Sequence, residues 1–81
     1  MSNKKCILIT GVCGLLGSRL SDWILDNKKE YDVVGIDNLF GGYIENISKD
    51  VIFYNRNLSE DKIDDIFEKH DIEYVFHFAA Y

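Results

Sequence analysis

Three glycines, Gly11, Gly14 and Gly17, recur at every third position in Thr10-Gly11-Val12-Cys13-Gly14-Leu15-Leu16-Gly17. They follow the apolar run Cys6-Ile7-Leu8-Ile9 and lead into a stretch with helical spacing. A bare backbone at a strand-to-helix turn suits an anion. The first N–H groups of a helix have no intrahelical acceptor, and the helix start carries partial positive charge. Gly11 permits the tight bend, Gly14 removes a side chain that would block phosphate groups, and Gly17 lets the helix lie close to the sheet. The backbone N–H groups of Leu15 and Leu16 give the site direction.

Glycine-rich turns occur in many loops, so the triplet acquires meaning only beside a second residue. Asp37 stands twenty positions after Gly17, at the end of the second apolar run Val33-Val34-Gly35-Ile36. A carboxylate there accepts both hydroxyls of an adenosine ribose and repels a 2′-phosphate. Val12 and Cys13 bring no cation to hold that extra phosphate. Glycine turn and acid together point to NAD rather than NADP. The plain alternative for Asp37 is a solvated acid at a strand end.

These residues need a scaffold, and the pattern predicts one. Cys6 to Ile9, Val33 to Ile36, Val51 to Tyr54 and Tyr74 to Phe78 read as strands, the first two as buried runs of the kind parallel sheets require. Leu16, Leu20, Trp23 and Ile24 mark the inward face of a first helix closed by Asn27-Lys28-Lys29. Ser59, with Glu60 and Asp61 behind it, reads as the N-cap of a second helix whose stripe is Ile63, Ile66, Phe67 and His70. A short helical turn is expected near Tyr43 to Ile47. Alternating strands and helices imply right-handed crossovers, and hence half of a doubly wound α/β (Rossmann) fold, a parallel sheet of about four strands in the order 3-2-1-4 with flanking helices. Trp23, Phe53, Phe67 and Phe76 are expected in the core, with Tyr43 the most arguable exception, and His77 as a hydrogen-bonded residue of a buried strand.

Eighty-one residues allow one domain at most. The net charge of -5 disfavours a nucleic-acid partner, no apolar run is long enough for a membrane span, and Met1 to Lys5 does not resemble a signal peptide, so the expected location is the cytoplasm. Cys6 and Cys13 are too far apart for a C-x-x-C pair and are read as reduced thiols. No metal site is expected.

The segments T-G-x-x-G-L-L-G (10–17), V-V-G-I-D-N-L-F-G-G (33–42) and V-F-H-F-A-A-Y (75–81) resemble the extended short-chain dehydrogenases/reductases of the NAD-dependent epimerase/dehydratase type, nearest to UDP-glucose 4-epimerase-like proteins. The resemblance implies that Leu15 and Leu16 meet the pyrophosphate through backbone. It also implies that Asp37 and Asn38 hold the ribose, and that Leu39, Gly41 and Gly42 flank it. Phe78, Ala79 and Ala80 would let backbone approach the cofactor. The adenine contact, an Asp followed by Ile or Leu in the family, falls on Asn57-Leu58, where an amide oxygen accepts without charge assistance.

Members of this family remove a sugar hydroxyl proton with the tyrosine of a Tyr-x-x-x-Lys pair while hydride passes to NAD. Four residues after Tyr31, Tyr43, Tyr54 and Tyr74 stand Gly35, Ile47, Leu58 and Phe78, so no catalytic residue is assigned. Residues 1–81 are therefore expected to be the truncated N-terminal NAD-binding part of an epimerase or dehydratase, without its catalytic and substrate-binding parts. The full-length protein is expected to be a homodimer acting on a nucleotide sugar. Two other readings stay open: a non-catalytic NAD(H) sensor, and a fragment of an S-adenosylmethionine-dependent methyltransferase. The glycine spacing and His77-Phe78-Ala79-Ala80 argue against the second.

Overall fold

The computed structural model of the chain describes residues 4–79. Four strands, β1 (Lys5–Thr10), β2 (Tyr31–Asp37), β3 (Ile52–Asn55) and β4 (Ile72–His77), form one parallel sheet in the order β3-β2-β1-β4. Helices α1 (Leu15–Asn27) and α2 (Asp64–Lys69) connect them, with a single 3-10 turn at Ile44–Asn46. The expected topology and strand order are present.

The alternation of side chains along β1 builds two cores from one strand. Ile7 and Ile9 pack with Val12, Cys13, Ile24, Val33 and Val51 on the α1 face. Cys6 and Leu8 pack with Val34, Ile36 and Ile66 on the α2 face. Burial on both faces explains why β1 and β2 read as continuous apolar runs.

Three expectations are corrected. The inward face of α1 is Gly17, Ser18, Ser21 and Ile24, while Leu16 faces outward and Trp23 is 52% exposed. Small residues lie inward because the helix presses on the glycine turn. Their hydroxyls donate back to the helix, Ser21 Oγ to the Ser18 carbonyl at 2.8 Å and Ser18 Oγ to the Leu15 carbonyl at 3.2 Å, so burying them leaves no donor orphaned. The second correction is the start of α2. Ser59 caps nothing, because Asn57 Oδ1 accepts from both Ser59 N (3.1 Å) and Ser59 Oγ (2.7 Å), an Asx-type turn that competes with helix. The helix begins at Asp64, where Asp64 and Asp65 occupy the first turn and Arg56 grips Asp65 through two bonds of 3.0 and 2.9 Å. Third, within the described residues β4 is exposed along nearly its whole length, Phe76 and His77 included, and Phe67 on α2 is exposed as well.

Candidate functional site

All four strands point their carboxyl ends the same way, the end of a parallel sheet where crevices for ligands form. There a cleft of about 220 Å³ is lined by Gly11, Gly14, Asp37, Asn38, Phe40, Gly41, Phe78 and Ala79. A larger hollow of about 710 Å³ lies at the opposite end, among Lys4, Asp32, His70 and Asp71. Size does not select between them; the smaller cleft alone contains the glycine turn and the strand-end acid.

The turn is held by backbone. Gly11 sits at φ 70°, accessible to glycine at little cost, and its N–H donates to the Ile36 carbonyl at 2.8 Å. A Cβ there would lie 2.9 Å from Ala79 N, so the end of β4 also closes on this residue. Gly14, by contrast, has φ -76° and ψ 175°, a conformation open to any residue, and a Cβ there would meet only the Gly11 carbonyl oxygen, at 3.4 Å. Neither conformation nor packing explains a glycine at 14. The space it keeps clear is the cleft.

Gly14 is the N-cap of α1, yet no side chain caps that helix and no acid stands in its first turn. Its first N–H groups therefore have no side-chain acceptor at the cap, and the cap residue Gly14 itself lines the cleft. Leu15 and Leu16 supply two of them, their side chains 67% and 64% exposed.

Asp37 is 8% exposed and is not the solvated strand-end acid of the plain alternative. Its Oδ2 accepts from the Cys13 N–H of the glycine turn at 2.9 Å, and its Oδ1 accepts from the Leu39 N–H at 2.8 Å. Each oxygen keeps a second lone pair. Leu39 lies at φ 63°, an unusual position for a branched aliphatic residue, with its N–H tied to Asp37 and its side chain packed against the α1-side core. Gly42 backs against the same turn, since a Cβ on it would lie 2.4 Å from the Cys13 carbonyl oxygen.

Of the residues expected from sequence, Gly11, Gly14, Asp37, Asn38, Gly41, Phe78 and Ala79 line the cleft. Leu39 and Gly42 support its wall, and Gly17 lies behind the turn. Asn57 and Leu58 are not brought to it: the Asn57 amide oxygen serves Ser59, and Leu58 packs on the α2-side core. Ala80 lies outside the described residues. Phe40, 91% exposed on the cleft rim, escaped the sequence reading, although an aromatic between Leu39 and Gly41 was a usable signal.

His77 is partnered despite its exposure. Its Nδ1 shares a 2.6 Å hydrogen bond with Thr10 Oγ1, joining the carboxyl ends of β4 and β1. Cys13 is fully buried; burial first, then the charges of Asp37 and Glu45, push its thiol up to about 11. A thiol whose folded-state pKa is raised contributes stability below its unfolded value, and that contribution is lost as pH rises from about 9 toward about 11. Iodoacetamide at pH 8 is accordingly expected to label Cys6 and Cys13 only in denaturant. Rapid labelling of the native chain, followed by mass spectrometry, would contradict the buried placement of both.

The sequence profile of the NAD dependent epimerase/dehydratase family matches residues 7–81. The chain belongs to this family. A putative UDP-glucose 4-epimerase of Methanocaldococcus jannaschii is 36% identical over 74 residues, 91% of this chain and 24% of its own length. Among solved structures, the UDP-glucose 4-epimerase of Thermotoga maritima, with UDP-glucose, superposes with a TM-score of 0.84 at 38% identity, covering 93% of this chain and 24% of that one. The Thermus thermophilus UDP-glucose 4-epimerase, in complex with NAD, gives 0.81 at 32% identity over 94% of this chain and 24% of its own. The chain spans about a quarter of the length of the relatives it matches. The cofactor of this epimerase/dehydratase family is NAD. Among the described residues, no helix is long and apolar enough to cross a membrane.

Proposed function

We propose that this chain is the NAD-binding portion of a nucleotide-sugar epimerase or dehydratase of the UDP-glucose 4-epimerase type. One observation carries the reading: the uncapped amino end of α1, opened by Gly14, and the Asp37 carboxylate border the same cleft. The donor set fits the cofactor. Backbone N–H groups of Leu15 and Leu16 would receive the pyrophosphate, and the remaining lone pairs of Asp37, with Asn38, would receive the ribose hydroxyls. Phe78 and Ala79 would border the approach at the end of β4. When bound, NAD supplies the hydride acceptor of the reaction. The contribution of this chain is to bind and orient it, since no tyrosine here stands four residues before a lysine. The family assignment gives no support to the methyltransferase reading.

Isothermal titration is expected to show NAD binding to the folded chain, with S-adenosylmethionine failing to compete. Gly14→Ala should weaken NAD at least about tenfold, about 1.4 kcal/mol, by intruding on the phosphate position. Stability should stay within about 1 kcal/mol, because the backbone at 14 accommodates alanine and the less flexible unfolded chain offsets a poorer cap. A folded sample that ignores NAD would sink the proposal.

A further inference from the structure

Two consecutive peptide groups of the glycine turn are fixed from outside it. The Val12–Cys13 peptide is held by Asp37, which accepts from the Cys13 N–H at 2.9 Å. The Cys13–Gly14 peptide is held on its carbonyl side, where Asn46 Nδ2 donates to the Cys13 oxygen at 2.9 Å across 33 positions of sequence. The N–H of that second peptide, on Gly14, donates to the Gly11 carbonyl at 3.1 Å. The next N–H groups are those at the start of α1. Asn46 ends the 3-10 turn, and its own N–H is tied to the Tyr43 carbonyl at 3.0 Å, so the side chain reaches the turn from an ordered base. Asn46 does not line the cleft.

We propose that Asn46 is a positioning residue for the diphosphate of the cofactor: it sets the plane of the Cys13–Gly14 peptide and thereby aims the N–H groups of Leu15 and Leu16. This rests on the dinucleotide reading above. Glu45, its neighbour, makes no equivalent bond to the turn among the hydrogen bonds described.

The test compares ADP-ribose with adenosine, which lacks the diphosphate, on the ¹⁵N-labelled chain. Asn46→Ala, which loses one neutral hydrogen bond, is expected to weaken ADP-ribose roughly three- to tenfold and leave adenosine unchanged. Asn46→Asp, which sets a carboxylate against a carbonyl, should weaken it further. In the ligand-free protein, Asn46→Ala should move the amide resonances of Gly14 and Leu15 while those of β3 and α2 stay in place. Unchanged ADP-ribose affinity, or equal loss for both ligands, would overturn the assignment. Should the unsubstituted chain bind neither ligand, the dinucleotide reading fails instead, and unmoved Gly14 and Leu15 resonances would still refute the structural part of this one.

Discussion

Gly17→Ala is expected to cost the chain about 2 kcal/mol or more, lowering its thermal midpoint by roughly 10 °C. Two effects oppose each other. Alanine in a helix is favoured over glycine by about 1 kcal/mol, and by that measure the substitution should stabilise α1. Its Cβ, however, would lie 2.3 Å from the Gly11 carbonyl oxygen, 2.8 Å from Val12 Cα and 3.0 Å from the Gly11 carbonyl carbon. All three are backbone atoms, so no side chain can swing aside, and either α1 lifts off or the turn deforms. Overpacking typically costs about 1–3 kcal/mol, and more when backbone must move. In a chain of this size, total stability is on the order of 4–12 kcal/mol, so the loss is a large share. A thermal melt with Gly14→Ala as the control tests this. Equal midpoints for the two variants would show that the close approach of α1 to the turn is wrong.

Asp37→Ala should be comparably damaging for a different reason. It strips the acceptor from two N–H groups at once, Cys13 in the glycine turn and Leu39 in its unusual backbone conformation. An orphaned donor costs about 1–3 kcal/mol when buried, and the Cys13 bond is buried while that of Leu39 is partly so, giving an expected loss of about 3 kcal/mol. Asp37→Asn retains one acceptor oxygen and should fall between. Urea unfolding measures the loss, and amide exchange at Cys13 and Leu39 locates it. Wild-type midpoints in both variants would mean that the carboxylate is not what secures this corner, leaving only the proposed ribose recognition to account for it.

The strand order, the crossovers and the glycine turn were legible because they rest on local signals: unbroken apolar runs, a strand-to-helix glycine triplet, an acid at a strand end. What escaped depended on residues meeting across the fold. The inward face of α1 could not be read from hydrophobicity, because contact with the turn selects Gly17, Ser18 and Ser21 over Leu16 and Trp23. The start of α2 was misplaced because Asn57 takes both the amide and the hydroxyl of Ser59, diverting a residue that looks like a helix cap. Asp37 was expected at the end of the second strand, where it stands, but its bonds to Cys13 and Leu39 join positions that only the folded sheet brings together. The grip of Asn46 on Cys13 had no sequence signal at all.

The segment from Asp37 to Gly42 is pinned at both ends to a single residue, Cys13, by hydrogen bond at one end and close packing at the other. That circumscribes where insertions can be accommodated. Steric room exists at the outermost point, Phe40-Gly41, where a Cβ on the glycine would touch nothing within 4 Å, but both residues also border the cleft. Lengthening this stretch would shift its footing on the turn or its border with the cleft, so its span is expected to be tightly limited.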